Sequence, residues 1–281
     1  MTCAVRLSKA GPALGGGVPL LLLCALLQAC AGRSGTPSGG VDAAAGRQDL
    51  VTASDEKPER RRARIRLELA ASYFQDDKAT IALDEIKQSL TADPSYGEAY
   101  NLRGLIYMRL GDFSLAEDSF KRAVALNPVD ADAMHNHGWL LCEQRRYAEA
   151  DALFRRAAAQ PTYGEKAKTL MTQGICEVRA GQLALAEQTL AESYRLDPGN
   201  PITGYTLANL LFQRGEASRA QFYMRRINNG EYATADSLWL GIKIERRLGD
   251  RVAMGQLADQ LRKRFPLSTE RAALDRGAFD E

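Results

Sequence analysis

The sequence predicts an all-α protein, a right-handed superhelix made by stacking six copies of one helix pair, and three observations predict it. Hydrophobic residues make up 45%, charged residues 26% and aromatics only 7%; Ala, Leu, Glu and Arg dominate over Val and Ile, which favours helices over a β-sandwich. A glycine is followed 17 residues later by a proline three times, at Gly111 and Pro128, Gly181 and Pro198, and Gly249 and Pro266. Pro94 and Pro128 are 34 apart, and Pro128 and Pro198 are 70 apart, twice 34 with a two-residue insertion near Gly164 to Lys166. A fixed period of this length marks a solenoid, in which a helix pair buries its apolar face only by stacking on the next.

Residues 1–29 hold Arg6, Lys9, an apolar run from Val18 to Leu27 and no acidic residue. That is the pattern of a secretory signal, and the run is too short for a bilayer-spanning helix. It ends in Leu27-Gln28-Ala29-Cys30, which resembles the lipobox of bacterial lipoproteins, with Gln28 a departure from the usual residue. The resemblance implies removal of residues 1–29 and a lipid anchor on Cys30. Ala31 is not the Asp that retains such lipoproteins at the inner membrane, so the expected location is the outer membrane, facing the periplasm. Loss of Arg6 and Lys9 turns 37 basic against 35 acidic residues into an even balance. The formal charge of +2 therefore concerns export and supports neither a nucleic-acid nor an acidic partner. Residues 30–62 are rich in Gly, Ala, Ser and charge, contain Pro37 and Pro58 and lack apolar periodicity. They read as a flexible tether with a reach of roughly 30 Å.

The remainder divides into 63–96, 97–130, 131–166, 167–200, 201–234 and 235–268, followed by a tail, 269–281. In the second segment Tyr100, Gly104, Tyr107, Ala116, Phe120, Ala123 and Pro128 place small residues where two helices cross, large ones in the gap, and a proline where the second helix must stop. These positions resemble the tetratricopeptide repeat (TPR). The register carries over to Leu69, Tyr73, Ala82 and Pro94, to Gly138, Ala150, Phe154 and Ala157, and to Gly174, Ala186 and Pro198. Ala208 and Ala220 continue it, and the sixth repeat keeps Gly249 and Pro266 but is otherwise loose. In that family, positions 2, 5, 9, 12 and 13 of each first helix face an inner groove. Mapped here, the protein-binding groove comprises Leu67 and Phe74; Asn101, Leu105 and Met108; His135 and Trp139; Met171 and Ile175; Tyr205, Asn209 and Phe212; and Trp239. Such a mostly apolar face suits spaced anchors on a helix or extended peptide.

Chemistry-bearing patterns are few. His135 and His137 are two apart, so on a helix they diverge and cannot share a metal. The sequence has no phosphate loop, nucleophile elbow or HExxH. We expect no catalysis, no metal, no cofactor and no small-molecule substrate. Cys142 and Cys176 fall at nearly the same height of adjacent first helices; they form either a disulfide in an oxidising compartment or two buried free thiols.

Three stretches go beyond generic repeat character. Leu141-Cys142-Glu143-Gln144 running into Tyr147-Ala148-Glu149-Ala150, Ile175-Cys176 with Arg179-Ala180-Gly181, and Ser237-Leu238-Trp239-Leu240-Gly241-Ile242 with Arg246-Arg247-Leu248-Gly249-Asp250 resemble the PilW/PilF family of lipoproteins in type IV pilus biogenesis. The resemblance implies a pilotin that binds subunits of the PilQ-type pilus secretin and promotes their localisation, multimerisation and stability. A periplasmic lipoprotein that regulates cell-wall synthesis enzymes or proteases would have the same anchor and scaffold.

Overall fold

The computed structural model describes residues 55–279, and the expected signal, the expected anchor at Cys30 and most of the expected tether lie outside them. Thirteen helices and no strand occur among the described residues. They run in pairs: α1 (Pro58–Gln75) with α2 (Ala79–Ala92), α3 (Gly97–Leu110) with α4 (Phe113–Leu126), and α5 (Ala131–Glu143) with α6 (Tyr147–Ala158). Next come α7 (Lys166–Arg179) with α8 (Leu183–Leu196), α9 (Pro201–Gln213) with α10 (Ala217–Asn228), and α11 (Ala235–Leu248) with α12 (Arg251–Arg264), before a last helix, α13 (Thr269–Arg276). Each helix packs on its partner and on the next pair, and the odd-numbered helices also touch one another in a row from α1 to α13. The result is the all-α superhelical repeat fold.

Local chemistry sets the helix ends. The carboxylates of Asp112, Asp130 and Asp250 accept hydrogen bonds from the N–H groups of Leu115, Ala133 and Ala253, satisfying donors that a helix start leaves unpaired. Thr234 and Ser237 form a reciprocal capping box on α11. Between the helices of each pair the chain enters the left-handed region once, at Asp77, Gly111, Arg145, Gly181, Gly215 and Gly249. Four of these equivalent positions are glycine, which adopts that backbone without strain. Arg145 takes it with φ of 63°, at a cost of roughly 1–2 kcal/mol for an L-residue.

The interior of each pair is a small residue facing a large one. A Cβ on Gly104 would lie 2.4 Å from the Phe120 ring, one on Gly138 3.0 Å from Phe154, and one on Gly174 2.6 Å from Leu190, so bulk is excluded there. The sixth pair inverts the arrangement. Ile242 stands on the first helix where the others carry Ala or Gly, Ala258 on the second where they carry a large residue, and both are buried in one cluster. This exchange is why the sixth repeat looks loose in sequence although its volume is conserved.

One boundary differs from the sequence expectation. Residues 58–62, read as tether, form the start of α1, because Pro58 is preorganised for a first helical turn and Glu59 follows it there. Within the tail, residues 269–276 make α13, which packs on α11 and α12.

Candidate functional site

The row of odd-numbered helices carries every groove residue named from the sequence. Leu67 and Phe74 are partly buried against the N-terminal core, and Leu105 and Met108 against Ala116, Phe120 and Leu140. Asn101 accepts a hydrogen bond at 3.0 Å from the Asn136 side chain, tying the second pair to the third. Met171, Ile175 and Asn209 are partly exposed, while Tyr205 and Phe212 pack on the core around Leu207 and Met224. Trp139 is partly buried over Phe154, Cys142 and Cys176.

Arginines cover part of this face. Arg109 lies 5.1 Å over the Phe74 ring and pairs with Asp77 of the preceding repeat. Arg179 lies 5.3 Å over Trp139 and pairs with Glu143 at 2.6 Å, again one repeat back. Each guanidinium thus caps an aromatic ring that stays partly exposed and bridges two repeats.

Two expected groove residues are placed elsewhere. His135 is 6% exposed; its Nδ1 is 2.9 Å from the Thr169 hydroxyl and its ring meets Phe154 edge-on. It is packed between the third and fourth pairs, held by Thr169 on the adjoining first helix and by Phe154. Trp239 is 9% exposed and stacks on Phe279 at 5.3 Å. The chain turns back after α13 and lays this ring on the indole, a contact that spacing within repeats does not reveal. Burial pulls the His135 and His137 pKa values down to about 4, so both imidazoles are neutral at pH 7. Among the described residues no three His, Cys, Asp or Glu side chains converge on a metal-sized site.

Cys142 and Cys176 are joined in a disulfide, with Cα atoms 5.9 Å apart, linking α5 to α7 directly beneath Trp139. Tyr163, in the connection that holds the insertion, places its hydroxyl 3.0 Å from Thr169 and donates to Asp132 at 3.3 Å, filling the space at the start of α5 and α7.

The mapping also missed residues. A cavity of about 450 Å³ opens beside Tyr205, lined by Pro201, Ile202, Ile227, Tyr232, Asp236 and the turn between α10 and α11. Ile202 and Tyr232 are 53% and 58% exposed there. Ile202 was legible: it occupies position 2 of its helix, where the other repeats carry Arg64, Glu98, Asp132, Lys168 and Asp236. Tyr232 lies in a turn and has no counterpart in the repeat pattern.

Comparison with known proteins adds the following. The tetratricopeptide repeat family model matches residues 67–131, 101–164 and 135–201. The type IV pilus assembly protein PilF of Pseudomonas aeruginosa is 27% identical over 235 residues, 81% of this chain and 92% of that protein. The crystal structure of PilW, a widely conserved type IV pilus biogenesis factor, superposes with a TM-score of 0.68 and 32% identity, covering 75% of this chain and 97% of PilW. The P. aeruginosa PilF structure superposes with a TM-score of 0.71 at 24% identity, over 79% of this chain and all of that one.

Proposed function

Because this chain belongs to the PilW/PilF family of tetratricopeptide type IV pilus biogenesis factors, we propose that it is an outer-membrane lipoprotein acting as pilotin for the pilus secretin. One observation carries the reading, the 32% identity that extends over 97% of PilW. Acyl chains on Cys30 supply the address, since two or more chains on one residue hold a protein firmly at a membrane. The odd-helix face supplies the grip. Met108, Trp139, Ile175 and Phe212 are partly open apolar side chains on the second to fifth repeats, a spacing that fits an apolar segment of a PilQ-type secretin subunit lying across them. The protein works as a scaffold that localises, multimerises and stabilises the secretin without catalysing a reaction.

A deletion strain tests this directly. It is expected to lose detergent-resistant secretin multimers and surface pili, and the Cys30→Ala variant to leave the outer-membrane fraction. Unchanged multimers combined with altered muropeptides would replace the secretin by cell-wall enzymes as clients. Unaltered outer-membrane fractionation of Cys30→Ala would remove the anchor.

A further inference from the structure

At the end of the row the protein holds one of its own aromatic residues. Gly277, in the left-handed region at φ 71°, ends α13. The N–H groups of Gly277 and Ala278 return to the carbonyls of Leu274 and Ala273, the paired bonds of a Schellman turn. That turn sends Phe279 back over α11. Its ring stacks on Trp239 at 5.3 Å and 24°, and the Arg246 guanidinium covers it at 4.1 Å, while Lys243 Nζ sits 5.6 Å from the Trp239 ring. Phe279 is therefore sandwiched between an indole and a cation, both favourable contacts for an aromatic ring.

Among the described residues no ion pair joins Lys243, Arg246 or Arg247 to a carboxylate. Arg109 and Arg179 end their helices paired with Asp77 and Glu143 of the preceding repeat. The residues at the corresponding places behind α11 are Gln213 and Gly215, which offer Arg247 no carboxylate. Lys243, Arg246 and Arg247 stand on α11 at spacings of three and four, which puts them on one side of the helix. The sequence after Phe279 continues with Asp280 and Glu281, the charge these cations lack.

We propose that the slot formed by Trp239, Lys243 and Arg246 recognises an aromatic residue followed by acidic ones, that Phe279 is its resident occupant, and that a protein partner's segment with an aromatic followed by acidic residues displaces it. The proposal deepens the partner-capture reading and rests on it only for the identity of that partner. The resident segment competes from within the same molecule, so it lowers the apparent affinity for any outside segment by the fraction of time the slot is filled.

The test titrates the full mature chain with a labelled synthetic peptide carrying the sequence of residues 273–281. The Phe279→Ala protein is expected to bind the peptide about tenfold more tightly than the unaltered protein. A peptide with its Phe replaced by Ala, or with its two C-terminal acids replaced by Lys, is expected to bind at least about tenfold more weakly. Adding Lys243→Ala and Arg246→Ala to Phe279→Ala should abolish binding; both are side chains on the open side of α11, and an unchanged circular dichroism spectrum checks the fold. Trp239 fluorescence in a Trp139→Phe background gives a second reading, since Phe279→Ala should shift its emission to the red and added peptide should restore it. Equal binding by the unaltered and Phe279→Ala proteins, no binding by either, or undiminished binding of the lysine peptide would overturn the proposal. Trp139→Ala leaves this titration unchanged, so failure of the secretin reading and failure of the slot are separate results.

Discussion

Trp139 and Trp239 lie on odd-numbered helices of the same row and meet opposite fates. Their helices, α5 and α11, are the two most deeply set, with nine of thirteen and eight of fourteen residues buried. Trp139 sits mid-array over a disulfide, with repeats on both sides and one guanidinium above it, and stays partly exposed. Trp239 sits where the array must end, and α13 with Phe279 closes over it. A solenoid leaves its last apolar face without a neighbour, and a terminal cap is the general answer. The same residue type in the same row is thus partly exposed in one place and covered in the other, decided by distance from the end.

The sharpest way to break this comparison is to truncate both rings. Trp239→Ala should destabilise the protein by about 3–5 kcal/mol, as for a buried aromatic, with the loss of hydrogen-exchange protection concentrated in α11–α13. Trp139→Ala should cost only about 1–2 kcal/mol yet weaken capture of the partner more than Arg156→Ala on a second helix. Equal stability losses would mean that the two rings are equivalent.

Removing the disulfide acts on the middle alone. Replacing Cys142 and Cys176 by alanine opens a 34-residue loop and should lower stability to urea by roughly 3–4 kcal/mol, without changing Trp239 emission. Matching losses of protection in α5–α7 and α11–α13 would show instead that the whole array unfolds as one unit.

Acid should also find the middle first. His135 and His137 are the chain's two histidines, and burial holds their folded pKa values at about 4. Unfolded imidazoles take up protons near pH 6.5, so acidification favours the unfolded chain; stability is full above that pH, falls below it, and the loss is complete near pH 4. Each group contributes on the order of 3 kcal/mol across the window. Urea midpoints at pH 7.5 and 5.5 should therefore differ, and should converge when both residues are glutamine. A persistent difference in the double variant would assign the effect to carboxylates.

The smallest effect sharpens the contrast at the helix ends. α11 closes on Gly249 but α5 on Arg145, both with positive φ. Arg145→Gly should stabilise by about 0.5–1 kcal/mol after the entropy of glycine is discounted, measurable as a raised urea midpoint. A lowered midpoint would mean that the Arg145 side chain supports its turn.

Much of this was readable in advance because it is periodic. A small residue against a large one, as Gly104 against Phe120, and the glycine after four of the six first helices follow the 34-residue period, and a helix pair imposes the same steric demand wherever it stands. The same register set Cys142 and Cys176 side by side, although only the fold brings their Cα atoms within 5.9 Å. The sixth repeat resisted the pattern because Ile242 and Ala258 exchange sizes, which conserves volume but erases the signature.

What stayed hidden in the chain depends on contacts that no period records. His135 was read as groove-facing, but the neighbouring helix and Thr169 enclose it. Trp239 was read as an anchor, but a residue 40 positions later in the sequence covers it. Tyr232, in a turn outside the repeat, helps to form the cavity beside Tyr205. Helices and their stacking follow from local sterics and amphipathic spacing, which repeat with the residues themselves. Exposure is a property of the finished surface, and it is set by whichever distant segment arrives to bury the same apolar area.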